Sequence, residues 1–566
     1  MSEPSTHPRL AIGMQWLNPL PRSRWRWVFS VTFASIMAFF PTAVWAAQRI
    51  FFFIGPLEFS VQIDALEAFA ERGAIDDELQ FYLNRADAES QAAFREALTR
   101  QFAIDPLKLT RFFNTPLGED ILTRMGQGIN LPSGGNGKYA IRAALTAAAF
   151  EPEGLTILNV LSAFPTDIRL NTQNLVSGVK ELERAIAVTE QMFDRVAQLS
   201  SVAASRERSV NFSTLPDLRQ PGDFGVVRET WKLTDPQRDR QFRVLLYKPE
   251  RWRAGNTPVV VFSHGLASNP EDLTEHGAHL ASYGYLVAIP QHPASDTEQL
   301  LDVLAGYDNK IFPASEFIDR PRDVSYVLDE LERRNVSEFG GRLDLENVGV
   351  VGHSFGGYTV LALAGAQIDF DRLQATCGES RSWNVSLLLQ CRALQLPRKT
   401  YSFRDRRVAA AIAVNPVNSN IFGSQGLAEV SIPVMLAGGS LDPATPAIYE
   451  QLRSFPWLGS AEKYLILAEG QAHVDFSRLD AGFSRTLNSF SQITLPSPDL
   501  LNTYGNAMLL AFFQVYVAEN SEFLPYLQSS YASYLSQNPF GLFLIDESQV
   551  DTLIHLLVEA ELFESD

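Results

Sequence analysis

The sequence predicts an α/β fold, a mostly parallel sheet of about eight strands wrapped by helices and preceded by an all-α region. Three observations predict it. From Ser60 to about Ser209 apolar residues recur at helical spacing, whereas after the polar stretch "PDLRQPGD" they gather into short, β-branched apolar runs. These runs, "PVVVFSHG", "YLVAIPQ", "NVGVVGHS", "VAAAIAVNP", "PVMLAGGS" and "KYLILAEG", are too short for helices and too apolar for half-exposed strands. That is the pattern of parallel strands buried on both faces. Between most of them lie helix-compatible segments such as "EDLTEHGAHLASYG" and "RPRDVSYVLDELERR", and such alternation builds a parallel sheet through helical crossovers.

Taken in order, the first element is a leader. "PRSRWRW" carries three arginines ahead of an uncharged run from Trp27 to Gln48, and Val44 and Ala46 fit a cleavage rule. Residues 1–46 are therefore expected to be a signal peptide cut after Ala46, which sends the protein to the periplasm or outside the cell. The run is also long enough for an uncleaved membrane anchor, the alternative reading.

Residues 47–220 are expected to form the helical domain and a linker. Ile63, Leu66, Phe69 and Ala70 share a helix face before Gly73, a C-terminal cap. Thr115 and Pro116 read as an N-cap and first helical residue. "PSGGNGK" lacks the spacing of a phosphate loop and reads as a flexible connection. Leu175, Val179, Leu182, Ile186, Phe193 and Val196 lie on one stripe of a long helix.

The α/β domain is expected over 221–545. "FGVVRETWKL" and "QFRVLLYKP" flank "TDPQRD" as a hairpin. An excursion over 367–407 is long enough to be a lid, "LLNTYGNAMLLAFFQVYVAE" is a closing helix, and 546–566 is an acidic helical tail.

The chain has 566 residues and a formal net charge of -18, with 46% hydrophobic and 20% charged residues. An acidic surface of this size repels nucleic acid, and the ordinary composition excludes disorder as the default. Two cysteines, Cys377 and Cys391, close the segment "CGESRSWNVSLLLQC". In an oxidising compartment a disulfide is the expected state, and it would stabilise the loop by ~3 kcal/mol in the chain-entropy model. Two buried thiols are the alternative.

The chemistry gathers at strand ends. Ser354 stands in Gly-His-Ser-Phe-Gly, directly after an apolar strand and directly before a helix. In so sharp a turn Gly352 and Gly356 are required, because side chains there would collide with neighbouring backbone. A serine hydroxyl needs a base, and the base needs an orienting carboxylate. Asp442 follows the strand "PVMLAGG" and His473 follows "KYLILAEG", which supplies both in the chain order Ser, Asp, His. His555 also follows Asp442, but in an apolar helical run. The backbone NH groups of Leu266, after "VVVFSHG", and Phe355 are the natural oxyanion hole. His264 either shapes that loop or fills space. His276 and His279 have metal-like spacing with no third ligand, so a solvated helix face is expected. His292, at a strand end, is read as lying near the site rim.

Together "FSHGLASN", "GHSFGGYT", "GGSLDPATP" and "EGQAH" resemble the α/β-hydrolase superfamily. Within it they are most similar to the platelet-activating-factor acetylhydrolase and dienelactone-hydrolase-like group, over roughly Phe224 to Val517. The helical region resembles a domain of unknown function that accompanies such hydrolases in exported bacterial proteins. Acetylhydrolases of that type carry their aspartate after the strand following the nucleophile. Here that strand ends at Asn415, and an amide cannot supply the charge that stabilises an imidazolium, so the acid moves one strand later to Asp442.

The resulting expectation is an exported serine hydrolase that cleaves carboxylic esters, of lipid or short-chain acyl type with acetylated phospholipid included, through an acyl-enzyme. A peptidase of the same fold and a non-catalytic binding protein with a vestigial triad are the competing readings. The expected partners are an ester or lipid substrate and a peripheral membrane surface; no metal or organic cofactor is implied.

Overall fold

The computed structural model describes residues 46–378, 384–473 and 495–563. The signal-peptide expectation lies outside them except for Ala46. From Ala47 onward the chain forms one compact unit. Among the described residues no helix is long and apolar enough to cross a membrane.

The region expected to be all-α also contains a small sheet of β1 (Arg49–Ile54), β2 (Leu57–Gln62), β3 (Ile129–Asn130) and β4 (Ile168–Leu170), in the order β2-β1-β4-β3. "RIFFFIGPLEFSVQ" is an aromatic and β-branched hairpin sequence around Gly55-Pro56, and a helical reading that starts at Ser60 passes over it. The helix boundaries agree with expectation. Ile63–Arg72 ends at Gly73 with φ 68°, and Thr115 accepts a hydrogen bond from the Gly118 NH at 3.0 Å ahead of the helix Pro116–Gly128. The long helix Thr172–Arg206 corrects the single-stripe expectation. Phe193 and Val196 are buried in the core, while Leu175, Val179, Leu182 and Ile186 are 37–56% exposed.

The large sheet comprises β5 (Val226–Asp235), β6 (Arg240–Pro249), β7 (Thr257–Ser263), β8 (Leu286–Pro290), β9 (Leu343–His353), β10 (Val408–Val414), β11 (Val434–Gly439), β12 (Lys463–Ala468) and β13 (Leu542–Asp546). Their order is β13-β12-β11-β10-β9-β7-β8-β6-β5. The strands from β8 through β7, β9, β10 and β11 to β12 pair in parallel, and antiparallel strands complete both ends. The eight expected strands are β5 to β12. The ninth, β13, immediately precedes the expected terminal helix, found at Val550–Glu559.

Successive side chains of a strand point to opposite faces, and β7 shows both faces dry. Val259 and Val261 enter the core that also holds the helix Phe355–Ala364, while Val260 and Phe262 enter the core under the helix Pro498–Tyr516. This two-sided burial makes the strand read as one continuous apolar run.

The excursion at 367–407 contains the helices Phe370–Cys377 and Leu387–Gln390, joined by the Cys377–Cys391 disulfide. Its polar anchor is the buried Glu450, just beyond the Asp442 loop. The carboxylate accepts hydrogen bonds from Asn384 at 2.6 Å and Gln390 at 2.9 Å on the insertion, and from the Asn418 and Ser419 NH groups at 2.9 Å. Arg392 ties the insertion to the helical region through the Pro116 carbonyl and the Asp120 carboxylate.

Candidate active site

Parallel strands end together, so loops after β7, β9, β11 and β12 converge at one edge of the sheet. The turn after β9 holds Ser354 at φ 58° and ψ -117°, a left-handed conformation that a non-glycine residue rarely adopts. Its backbone is held by the Ser354 NH donating to Val414 at 2.9 Å and by the Gly357 NH donating to the Ser354 carbonyl at 2.9 Å. A Cβ on Gly352 would lie 1.9 Å from the Gly356 carbonyl oxygen, and one on Gly356 would lie 1.9 Å from that of Ser263. Both positions accept only glycine, as the sequence predicts.

His473 Nε2 lies 2.8 Å from Ser354 Oγ, and its Nδ1 lies 2.7 Å from Asp442 Oδ2. The second Asp442 oxygen accepts from the Ala444 and Thr445 NH groups at 2.8 and 2.9 Å. Oδ2 also accepts from Thr445 Oγ1 at 2.7 Å and Asn415 Nδ2 at 2.5 Å. Burial pushes this carboxyl up, but the bonds from His473 and Thr445 and the charge of the imidazole outweigh it and hold it below the usual range. Asn415, at the position where the resembled acetylhydrolases carry aspartate, therefore serves as a neutral donor to the acid. Ser354 is 6% exposed and the His473 side chain 13%, so the line of residues touches solvent at the serine and imidazole end.

Two further residues flank this line. His353 packs on His473 with ring centroids 4.8 Å apart, and burial with the neighbouring His473 charge pushes its pKa down to about 4. It is neutral near pH 7, so its ring covers the base without repelling an imidazolium. Gly265 lies against the nucleophile, since a Cβ there would sit 3.3 Å from the Ser354 Cβ.

The loop after β7 brings Leu266 to the same place. The Gly265 carbonyl is engaged by Arg320 at 3.1 Å and by His264 Nδ1 at 2.8 Å. In a trans peptide the NH of Leu266 points opposite to that carbonyl, away from Arg320. Phe355 opens the helix behind Ser354, where the first NH groups have no intrahelical partner. The same helix end carries a partial positive charge.

Three histidine expectations receive an answer. His264 shapes the loop: it is fully buried, and its Nε2 accepts from the His292 NH at 3.0 Å. His292 does not reach the rim. It is sealed, with Nε2 2.9 Å from Ser263 Oγ and Nδ1 3.0 Å from Asp323 Oδ2. The solvated-face reading of His276 and His279 is also corrected, because His276 bonds to Asn506 at 2.7 Å and His279 is buried beside Tyr283. His276 lies against the helix Pro498–Tyr516, which pattern reading on its own helix does not reveal. Among the described residues no cluster of three His, Cys, Asp or Glu side chains is arranged for a metal.

The nine-stranded sheet and the strand–turn–helix at Ser354 define the α/β-hydrolase fold. Comparison with known families agrees. Residues 46–171 match a family described as an alpha/beta hydrolase of unknown function (DUF1400), and residues 222–376 match the chlorophyllase family. Both matches support the α/β-hydrolase superfamily and a hydrolase activity. The second covers the Gly265 loop and Ser354 but stops short of Asp442 and His473. No curated protein matches the chain.

Proposed function

We propose that the protein is an exported serine hydrolase that cleaves carboxylic esters through an acyl-enzyme. The observation that carries this reading is the continuous line from Ser354 Oγ through His473 to Asp442, with links of 2.8 and 2.7 Å. His473 takes the Ser354 proton as Oγ bonds to the ester carbonyl carbon. The carbonyl oxygen becomes an oxyanion facing the Leu266 and Phe355 NH groups. His473 then gives the proton to the leaving alkoxide, the C–O bond breaks, and an alcohol departs. Water repeats the sequence on the acyl-enzyme, releasing the acid and restoring Ser354. Asp442 holds the imidazole by Nδ1 and stabilises its cation throughout.

An apolar acyl ester of lipid or short-chain type is the proposed substrate class, with acetylated phospholipid included. The leucine-rich excursion at 367–407, anchored on Glu450 beside the Asp442 loop, supports that class as a lid over the acyl chain. The test is turnover of p-nitrophenyl esters of graded chain length by the mature protein and by Ser354→Ala. Loss of turnover in a folded variant supports the reading; unchanged turnover refutes it.

A further inference from the structure

Beneath the Gly265 loop lies a sealed cluster of charge. Arg238, Arg240 and Arg320 face Asp235, Glu316 and Asp323, and the side chains of Arg320, Glu316 and Asp323 are wholly inaccessible. Burying charge this deeply is costly unless every partner is in place. Most of the cluster joins β5 and β6 to the helix Glu316–Phe339, which is a structural task. Arg320 alone turns the other way.

Its guanidinium donates to the His264 carbonyl at 2.8 Å and the Gly265 carbonyl at 3.1 Å, while Nε donates to Ser295 Oγ at 3.0 Å. Its carbon also lies 4.5 Å from the centroid of the Phe355 ring. One buried cation therefore grips both residues whose NH groups face the proposed oxyanion. It fixes the Gly265–Leu266 peptide by its carbonyl and packs on the side chain of Phe355.

We infer that Arg320 is a positioning residue for the oxyanion hole, setting the Leu266 and Phe355 NH groups by gripping the peptide of one and the ring of the other. The inference rests on the proposed acyl-transfer reading of Ser354. Two properties of the side chain suit it. A planar fork reaches two successive carbonyls and still presents a flat face to an aromatic ring, which an ammonium does not do. Burial lowers the Arg320 pKa to about 10, against the pull of Glu316 and Asp323, so the group remains a cation at neutral pH. Both carbonyls then meet a charged donor, the stronger kind of hydrogen bond.

The test compares Arg320→Lys and Arg320→Met with wild type and Ser354→Ala in the mature full-length protein. The measurements are kcat and KM on p-nitrophenyl butyrate, the affinity for an alkyl trifluoromethyl ketone, and the thermal midpoint. The ketone forms a hemiketal whose oxyanion needs the same NH groups, whereas ground-state ester binding does not. In Arg320→Met, kcat is expected to fall about 100-fold, the cost typical of a lost oxyanion donor. KM should stay within about twofold, and ketone affinity should fall in proportion to kcat/KM. Arg320→Lys should lie between wild type and Arg320→Met, and it alone decides the matter if Arg320→Met does not fold.

A folded Arg320→Lys or Arg320→Met with wild-type kcat and ketone affinity would overturn the role. So would a loss of activity that follows only the folded fraction. With Ser354→Ala inactive, those results reject Arg320 alone. Turnover by Ser354→Ala would reject the nucleophile, and the role of Arg320 with it.

Discussion

The chain contains two Ser–His–Asp lines of nearly the same dimensions. In one, Ser354, His473 and Asp442 are linked at 2.8 and 2.7 Å; in the other, Ser263, His292 and Asp323 are linked at 2.9 and 3.0 Å. Distances do not separate them, but surroundings do. Ser354 stands on a left-handed turn at a helix N-terminus, beside a glycine, whereas Ser263 is the last residue of β7 and has no exposure. The carboxylates differ more. Asp442 takes neutral donors besides His473, so its charge is left for the imidazole. Asp323 is shared with Arg238 at 2.8 Å and Arg240 at 2.9 Å.

The pKa directions follow. Burial lifts Asp323 above the usual carboxylate range despite Arg240 and Arg238, while the His473 and Thr445 bonds hold Asp442 below it. Burial and then the charges of Arg320, Arg240 and Arg238 push His292 well below its ordinary value. A histidine whose cation is disfavoured in this way is a weak base for a serine proton. Under the proposed acyl-transfer reading, the same three residue types make a reactive line at one place and a strut at another. The strut backs the loop that the reactive line uses, since Gly356 packs on the Ser263 carbonyl.

Substitutions break this comparison in order of size. Ser354→Ala should lower kcat on a p-nitrophenyl ester by about 10⁶-fold with the thermal midpoint unchanged. Asp442→Asn should cost about 10⁴-fold in kcat, through loss of the imidazolium's counter-charge. Its counterpart Asp323→Asn removes the buried carboxylate that Arg238 and Arg240 share, leaving them Asp235 and Glu316, and should instead cost about 3–5 kcal/mol in urea unfolding. Ser263→Ala leaves His292 one bond short, for about 1–3 kcal/mol of stability and less than about tenfold in kcat. A kcat effect of Ser263→Ala equal to that of Ser354→Ala would erase the distinction.

The smallest effect is in pH. Burial pushes Glu316 up to about 7, so the folded protein binds this proton more tightly than the unfolded chain does. Its stabilising contribution is present below the ordinary carboxylate range and is lost as pH rises through about 7. Asp442 has the opposite sign: its contribution is present above the ordinary range and is lost as pH falls through its depressed value. Denaturant unfolding of Glu316→Gln should therefore show a flatter profile than wild type between about pH 4.5 and 7. An unchanged profile would mean that Glu316 is not held protonated by burial.

The juxtaposition of Ser354, His473 and Asp442 was legible in the sequence because each member follows an apolar strand, and parallel strands bring their ends to one edge. Gly352 and Gly356 were legible for the same local reason. The strut was not. Ser263, His292, Asp323 and Arg320 come from separate strand ends and a helix interior, and no short motif relates them. His292 even misled, because a strand end near the site reads as a rim until the neighbouring helix is seen to seal it.

Elsewhere, the helical stripe from Leu175 to Val196 had the right periodicity. Periodicity does not say where a partner surface ends, and its first half is uncovered. The strand β13 was missed because four apolar residues and an aspartate between turns carry no period of their own. Pairing with β12 decides them.

The most direct measurement is peptide mapping of the intact protein after reaction with a fluorophosphonate, which phosphonylates an activated serine. A single adduct on Ser354, with none on Ser263, is the predicted result. An adduct on Ser263, or complete absence of labelling in folded protein, would contradict the account.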